Sequence, residues 1–289
     1  MKRVLTALVL IPLVLLAVFK APSWLFTLLV GAVALLALKE YLDLVEAYGV
    51  KPIRWLTYGY VAAAFGLASS LSTQFFSDLG NAPLLIGLFF ALGSLVLMWA
   101  FVFLVVAMEA DDLSKAFPSA ATSGFGVFYV GLGMLAVARI NYLGWYPLIF
   151  TFFAVWAGDI VAMYTGKAIG RHKMSPRISP NKTWEGAIGS LAGSVLACWL
   201  FTHSSPRVEA VVYHASNGMG PHRAAEVILF AILLNIAAQL GDLVESLIKR
   251  GANVKDSGTM LPGHGGILDR IDALLFAAPV ALVLFEFVR

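Results

Sequence analysis

Long, uninterrupted apolar runs recur along almost the whole chain and limit its fold more than any other feature. A membrane-spanning helix needs roughly 20 mostly apolar residues, because the hydrocarbon core is about 30 Å thick. The runs are continuous and do not alternate with a period of two, which favours helices over a barrel. They predict helices near residues 4–19, 23–38, 55–71, 83–108, 123–143, 146–165, 184–202, 226–249 and 271–288. The predicted fold is therefore all-α, a polytopic integral membrane protein with about nine transmembrane helices.

The composition argues against a water-soluble domain. Of the 289 residues, 60% are hydrophobic and only 13% are charged, whereas soluble domains carry about 25% charged residues. Cys198 is the single cysteine and lies in an apolar run, so neither a disulfide framework nor a cysteine-based metal site is expected. The basic start followed by an apolar run resembles a signal peptide, but no small-x-small cleavage site follows. We therefore interpret this run as an uncleaved first helix.

The distribution of basic residues predicts the orientation. If the amino terminus is cytoplasmic and the chain has nine spans, the basic residues outside are Lys20, Arg139, Arg207, Arg223 and Arg289. The remainder of the 20 Lys and Arg residues then lie inside, as the positive-inside rule requires. This predicts a multi-pass protein of the inner (cytoplasmic) membrane, with its amino terminus in the cytoplasm.

Hydropathy and polarity divide the chain into two parts. Residues 1–150 are predicted to form about five transmembrane helices. Within them, polar spacing over 39–54 fits either a helix on the membrane surface or an extension of the second span. Residues 151–289 are predicted to form about four transmembrane helices, with cytoplasmic loops at 165–183 and 250–270.

Two polar segments in the second part, 158–186 and 241–272, mix basic, acidic and glycine residues. Positive-inside loops and headgroup anchoring would explain the basic residues, but not the carboxylates and glycines among them. Carboxylates hold Mg²⁺, lysines and arginines neutralise phosphate oxygens, and glycines let backbone N–H groups come close. The mixture predicts a polyphosphate site with a divalent metal that faces the cytoplasm.

A polar stripe marks the eighth predicted helix. Asn235, Gln239, Asp242, Ser246 and Lys249 recur at steps of four, three, four and three, so they share one face. Lipid exposure of Asp242 would cost roughly 2.5 to 3.5 kcal/mol, which predicts that the stripe faces the protein interior or an aqueous cavity. Asp242 is therefore a functional candidate, while interhelical hydrogen bonding is the favoured interpretation of Asn235 and Gln239.

Three further carboxylates are candidates for the same site. Asp159 lies near a predicted membrane edge, where hydration is an alternative explanation. Asp269 and Asp272 are three residues apart and could share a metal, although Asp269 could instead cap the last helix. Ser179, which is followed by a proline, predicts a helix start whose free N–H groups would suit a phosphate.

An extended motif in the second polar segment carries a family resemblance. It reads Ser246-Leu-Ile-Lys249-Arg250, four residues, Lys255-Asp256, and then Leu261-Pro-Gly-His-Gly-Gly-Ile-Leu-Asp-Arg-Ile-Asp272. Over its 27 gapless positions, it closely resembles the signature of phosphatidate cytidylyltransferases, also called CDP-diacylglycerol synthases. The stretch Ser179-Pro-Asn-Lys-Thr-Trp-Glu-Gly186, with Trp156, Asp159, Tyr164, Gly166 and Gly170, resembles that family's other block. The first 150 residues resemble the family mainly in hydropathy.

The resemblance implies an activity and its partners. CTP and phosphatidic acid from the membrane would give CDP-diacylglycerol and pyrophosphate, with Mg²⁺ as the cofactor. The lipid phosphate is already ionised and needs no strong base, which fits a motif of aspartates and cations without a nucleophile–base pair. A homodimer is expected from the family alone, and no nucleic-acid partner is expected.

The resemblance also assigns roles by position. The catalytic residues would be Asp242, Asp269, Lys249 and Arg270. The metal ligands would be Asp242 and Asp269, with Asp159 and Asp272 as further candidates. The substrate-binding residues would be Ser179, Asn181, Lys182, Thr183, Ser246, Arg250, Lys255, Asp256, His264, Gly265 and Gly266.

Two alternative functions stay open at this point. Intramembrane Asp159 and Asp242 could bind an ion or carry protons in an ion-coupled transporter, although no pair of broken helices in matching halves supports this. The motif would also tolerate a CTP-dependent enzyme that acts on a different lipid phosphate. CTP-dependent release of pyrophosphate distinguishes the enzyme from a transporter, because a transporter would release none. A comparison of lipid substrates distinguishes phosphatidic acid from another lipid phosphate.

Overall fold

The structure of the protein is a computed structural model. It describes residues 12–70, 101–109, 112–204, 224–261, 263 and 265–287. The predicted helices at 4–19 and 83–108 therefore lie only partly within the described residues. His264, predicted to bind substrate, lies outside them.

Helices dominate the described part of the chain and confirm the all-α prediction. In chain order they are α1 (12–20), α2 (Ser23–Ala47), α3 (Arg54–Ser70), α4 (101–107), α5 (Leu113–Gly126), α6 (Gly133–Tyr142), α7 (Trp145–Ile169), α8 (Trp184–Thr202), α9 (Ala224–Gly251) and α10 (Leu268–Phe287). A π-helical stretch, Val127–Leu132, joins α5 to α6.

Among the described residues, five helical segments are long and apolar enough to cross a membrane. They are Ser23–Ala47, Leu113–Tyr142, Trp145–Ile169, Trp184–Thr202 and Ala225–Gly251. Several such segments in one chain support a multi-pass membrane protein. The predicted count of nine spans is not confirmed.

Two helices extend beyond their predicted bounds. The predicted second span ends at residue 38, whereas α2 continues to Ala47, because Tyr41, Leu42 and Val45 are buried against the rest of the protein. Residues 39–47 thus continue the helix of the predicted second span and do not form a helix of their own. Helix α5 begins at Leu113 instead of near 123, since the polar residues of its first turns hid it from a search for apolar runs.

The second part of the chain forms a packed group of helices around α9. Helix α8 packs against α7 and α9, and α10 packs against α9 and α6. Helix α2 from the first part of the chain reaches α6 and α10. This arrangement brings the two predicted polar segments to the same end of the helix group.

Buried amides and hydroxyls tie α7, α8 and α9 together. The Asn235 Nδ2 atom donates to Ser190 Oγ at 2.8 Å and to Ser194 Oγ at 2.7 Å. The Gln239 Nε2 atom donates to Asn235 Oδ1 at 2.6 Å, and the Ser194 hydroxyl donates to the Ala154 carbonyl. The Gln239 Nε2 atom also donates to the Ala187 carbonyl on α8 at 3.3 Å. Asn235 and Gln239 therefore both make the interhelical hydrogen bonds that were predicted.

Gly158 on α7 generates a stability prediction. A Cβ atom at this position would lie 2.6 Å from Ser194 Oγ and 2.9 Å from Ser190 Oγ. The Gly158→Ala variant should therefore force α7 away from α8, at a cost of about 1 to 3 kcal/mol, and lower the melting temperature in detergent.

Gly59 provides the matched control, because a Cβ atom there would meet nothing within 4 Å. The Gly59→Ala variant should melt at the same or a higher temperature, since alanine favours helix over glycine by about 1 kcal/mol. Equal melting temperatures for the two variants would contradict the proposed close packing at Gly158.

Candidate active site

A short β-hairpin follows α7 and forms one wall of the site. Strand β1 (Lys173–Ser175) pairs antiparallel with β2 (Ser179–Thr183), with Ser175 opposite Ser179. The predicted helix start at Ser179 is wrong, because a residue before proline is pushed towards extended backbone and Ser179 begins a strand. Helix α8 starts only at Trp184.

Thr183 is the N-cap of α8. Its Oγ1 atom accepts a hydrogen bond from the Gly186 N–H at 3.1 Å, and its side chain is buried. This contact satisfies one of the free N–H groups of the first helical turn. Thr183 therefore fixes the end of the hairpin against α8, whether or not it also contacts a substrate.

A cavity of about 710 Å³ opens between the hairpin, α7, α8 and α9. The charged and polar residues that line it are Asp159, Lys167, Lys173, Asn181, Lys182, Thr183, Ser190, Gln239 and Asp242. Most of them come from the first predicted polar segment, Asp242 comes from the second, and Ser190 and Gln239 lie outside both. The cavity thus combines lysines, carboxylates and amides on helices that are otherwise apolar.

An ion pair in this cavity joins the two polar segments. The Lys182 Nζ atom on the hairpin lies 2.7 Å from Asp242 Oδ2 on α9. The other carboxylate oxygen, Asp242 Oδ1, accepts a hydrogen bond from Ser246 Oγ at 3.3 Å. The predicted polar stripe of α9 therefore faces the protein interior, and Asp242 borders the cavity.

Lys249 occupies a second, more enclosed cluster. Its Nζ atom lies 2.6 Å from Asp269 Oδ1 and forms an ion pair with Glu245, while its side chain is only 12% exposed. Glu245 is fully buried, and apart from this ion pair its carboxylate has no hydrogen-bond donor among the described residues. The Lys249 charge is thus engaged by two carboxylates.

The contacts of Asp269 match the capping alternative. Its Oδ2 atom accepts hydrogen bonds from the N–H groups of Gly266 at 2.8 Å and Ser257 at 3.0 Å. A side chain in the first helical turn that bonds back three residues is half of a capping box. Gly265 has a φ of +83°, and a Cβ atom there would lie 2.7 Å from Asp269 Oδ2, so this position requires glycine.

Asp272 adds another carboxylate to the site. It accepts a hydrogen bond from the Ala273 N–H at 2.8 Å and interacts electrostatically with Asp242 and Asp159. Neighbouring carboxylates repel one another unless a cation or a proton lies between them. Among the described residues, no three His, Cys, Asp or Glu side chains form a ready-made ligand set. Mg²⁺ nevertheless fits, because it commonly takes one or two carboxylates and completes its shell with phosphates and water.

The other predicted site residues lie around the end of α9 and the start of α10. Arg250 ties the hairpin to the end of α9, since its Nε and Nη1 atoms donate to the carbonyls of Ile178 and Val254. Lys255 and Asp256 are exposed in the loop before α10. Arg270 lies in the first turn of α10.

Glu245 and Glu40 were missed by the sequence analysis. Glu245 lies three residues after Asp242 and four before Lys249, so helical spacing alone could have placed it on the polar stripe. Glu40 offered no such signal. It lies in the first part of the chain, yet its carboxylate accepts hydrogen bonds from the loop that precedes α10.

These features define a class of protein: a polytopic helical membrane protein with a lysine- and carboxylate-lined cavity suited to an anionic substrate. The sequence model of the Cytidylyltransferase family matches residues 1–288, and the chain belongs to this family. The resemblance stated from the motifs is thereby confirmed.

Curated relatives agree with this assignment. A phosphatidate cytidylyltransferase of Haemophilus influenzae is 31% identical over 301 residues, which cover 99% of both chains. One from Brucella abortus is 42% identical over 156 residues, 53% of each chain, so the chain spans about half the length of that relative. One from Staphylococcus aureus is 38% identical over 182 residues, 62% of this chain and 65% of the relative.

The cap at Thr183 generates a prediction that separates a structural role from substrate contact. Thr183→Val keeps the shape of the side chain but removes the cap, so it should lower the free energy of unfolding by about 1 kcal/mol. Thr183→Ser keeps the hydroxyl and should restore most of that loss. Thermal unfolding in detergent measures both. Equal stability of Thr183→Val and the parent protein would contradict the capping role.

Proposed function

We propose that this protein is a phosphatidate cytidylyltransferase, which transfers CMP from CTP to phosphatidic acid and gives CDP-diacylglycerol and pyrophosphate in phospholipid biosynthesis. The observation that carries the proposal is the cavity in which Lys182 of one polar segment meets Asp242 of the other. The family match and the names of the curated relatives support the same activity.

The charges of the cavity fit two anionic substrates. Lys167, Lys173 and Lys182 line it, and lysine ammonium groups neutralise phosphate oxygens through charge-assisted hydrogen bonds. Asn181 at the same wall offers an amide donor. The cavity lies between candidate membrane-spanning helices, so a phospholipid headgroup could reach it while its acyl chains remain in the bilayer.

The reaction then needs positioning and charge stabilisation more than a base. An oxygen of the lipid phosphate attacks the α-phosphorus of CTP, a new P–O bond forms, and the bond to the β-phosphate oxygen breaks so that pyrophosphate leaves. Lys182, held by Asp242 at 2.7 Å, would stabilise negative charge that develops at phosphorus. Ser246 supports this pair because it donates to the same carboxylate.

We infer that the site uses Mg²⁺ and propose as its ligands Asp242 and Asp159, which both line the cavity. Asp272, which interacts electrostatically with both, is a further candidate. When bound, a divalent cation would polarise phosphoryl oxygens and neutralise charge on the leaving pyrophosphate. Asp269 could join as a ligand only if its Oδ1 atom exchanged Lys249 for the metal, just as Asp242 Oδ2 would have to exchange Lys182. The described contacts therefore favour Lys249 as the residue that fixes Asp269.

The remaining assignments rest on the sequence. On the motifs alone, we propose substrate-binding or catalytic roles for Ser179, Lys255, Asp256, His264, Gly265, Gly266 and Arg270. Arg250 is better explained as a strut between the hairpin and α9. A homodimer stays a prediction from the family resemblance.

Release of pyrophosphate tests the proposed activity. Detergent-purified protein should release pyrophosphate only when CTP, Mg²⁺ and phosphatidic acid are all present. It should release little with ATP in place of CTP, or with diacylglycerol, which lacks the attacking phosphate. Lys182→Met should lower kcat/KM by at least about tenfold, a loss of 1.4 kcal/mol in transition-state binding.

The control arms separate the alternatives. Faster release with an isoprenoid phosphate than with phosphatidic acid would indicate another lipid substrate. No release with any lipid phosphate, from protein shown to be folded, would contradict an enzymatic function and favour the transporter.

We also propose that the cavity faces the cytoplasm, because most basic residues lie on the side that carries the hairpin. In a Cys198→Ala background, a cysteine introduced by Lys173→Cys should react with an impermeant maleimide in inside-out vesicles but not in intact cells. A cysteine introduced by Ser204→Cys, at an exposed position beyond α8, should show the opposite pattern. Labelling of both from the same side would contradict the proposed topology.

A further inference from the structure

Glu40 is a buried carboxylate on α2, far in sequence from the polar segments. Its residue exposure is 3%. Its Oε2 atom accepts a hydrogen bond from the Leu268 N–H at 2.8 Å, and its Oε1 atom accepts one from the Ile267 N–H at 3.0 Å. The Ser257 hydroxyl lies 3.0 Å from Glu40 Oε2. Both oxygens of this carboxylate are therefore directed at the segment 257–268.

These contacts explain how a carboxylate is tolerated in the protein interior. Burial of a charge is costly unless donors surround it, and here two backbone N–H groups and one hydroxyl converge on it. The two N–H groups belong to the start of α10, where the helix dipole favours negative charge. Glu40 thus stabilises the point at which the loop enters α10.

Ser257 links Glu40 to the candidate active site. Its Oγ atom lies 3.0 Å from Glu40 Oε2 and also 3.0 Å from Asp269 Oδ2. A hydroxyl has one proton and serves one of these carboxylates at a time, while the Ser257 N–H donates to Asp269. Asp269 in turn holds Lys249 at 2.6 Å. A continuous chain of contacts therefore runs from α2 to the charged cluster on α9.

Two glycines of the segment leave room for this carboxylate. A Cβ atom on Gly258 would lie 2.5 Å from Glu40 Oε1. A Cβ atom on Gly266 would collide with both Ser257 Oγ and Glu40 Oε2. Gly266 belongs to the motif that carries the family resemblance. Its lack of a side chain leaves room for the Glu40 carboxylate, which comes from the first part of the chain.

We propose that Glu40 is a positioning residue of the active site, which acts through Ser257 and the first turn of α10 to hold Asp269 and Asp272 in place. The catalytic consequence of this role rests on the proposed cytidylyltransferase function. The structural part does not, because it concerns only the contacts of Glu40 with Ser257, Ile267 and Leu268. The first part of the chain thereby contributes directly to the organisation of the site.

The test compares Glu40→Gln with Glu46→Gln. Glutamine keeps the size of Glu40 but leaves only one oxygen for three donors. Glu46 lies on the same helix and is half-exposed, where it pairs with Arg54 at 2.9 Å, so its replacement controls for loss of a charge on α2. Hydrogen exchange of the Ile267 and Leu268 amides and steady-state kinetics for CTP are measured for both variants.

For Glu40→Gln we expect exchange at these amides to accelerate at least about tenfold, because a buried unsatisfied donor costs about 1 to 3 kcal/mol. We expect kcat to fall at least about tenfold while KM for CTP stays within about threefold, the pattern of a lost transition-state interaction. Glu46→Gln should match the parent protein in both measurements. A general loss of structure would instead accelerate exchange throughout α2 and α10.

Each of the remaining outcomes contradicts either the structural role or the catalytic role proposed for Glu40. Unchanged exchange in Glu40→Gln would show that Glu40 does not hold the segment, whatever the activity. Faster exchange with kcat within twofold of the parent would remove the catalytic role. If the parent protein lacks CTP-dependent turnover, the proposed function fails, and the exchange result alone decides whether Glu40 orders the segment.

Ser257→Ala keeps the test decisive if Glu40→Gln does not fold. This variant removes the bridging hydroxyl and retains the backbone contact to Asp269. It should lower kcat at least about threefold, as expected for a lost hydrogen bond to a charged group. Unchanged kcat in Ser257→Ala would contradict transmission through Ser257.

Discussion

Carboxylates that fold into the interior of a helical membrane protein need compensating cations or donors, and this requirement organises the second part of the chain. Lys182 compensates Asp242, and Lys249 compensates Glu245 and Asp269. Asp159 and Asp272 belong to the same charged region, and each also interacts electrostatically with Asp242. The carboxylates there outnumber the two lysines that pair with them, and a divalent cation would offset the repulsion among them.

The same requirement explains the irregular backbone around the site. The hairpin brings Lys182 across to α9, and Arg250 fixes the hairpin by bonding to the Ile178 carbonyl. The loop before α10 directs its N–H groups at Glu40 and Asp269. Buried backbone N–H groups outside regular helices and strands need hydrogen-bond partners from other parts of the protein. Here the carboxylates of Glu40 and Asp269 accept hydrogen bonds from the N–H groups of the loop, and these bonds also hold the two carboxylates in place.

The sequence predicted the all-α class, the family and the polar face of α9, because helical periodicity and the cost of exposed charge act locally. It left alternatives open, or predicted the wrong element, where contacts between elements decide. Helix α2 extends because Tyr41, Leu42 and Val45 find partners on other helices. Ser179 enters a strand because it pairs with Ser175.

The candidate site shows the same division between local and distant signals. Motif spacing identified Asp242, Lys182 and Asp269, all of which lie in the two clusters described. It did not identify Glu40, since no local pattern around residue 40 indicates that a loop more than 200 residues away will donate to its carboxylate. The capping contacts of Thr183 and Asp269 were also decided by the fold, because from the sequence Thr183 could equally contact a phosphate and Asp269 could equally bind a metal.

The central claim is that the carboxylates around Asp242 hold a divalent cation beside the bound nucleotide. Crystals of the protein grown with CTP and Mn²⁺, a stand-in for Mg²⁺ with strong anomalous scattering, test it most directly. The account predicts an anomalous peak in contact with a carboxylate oxygen of Asp242, with Asp159 or Asp272 nearby and a phosphate oxygen completing the shell. A peak held by the nucleotide alone, away from these three aspartates, would contradict it.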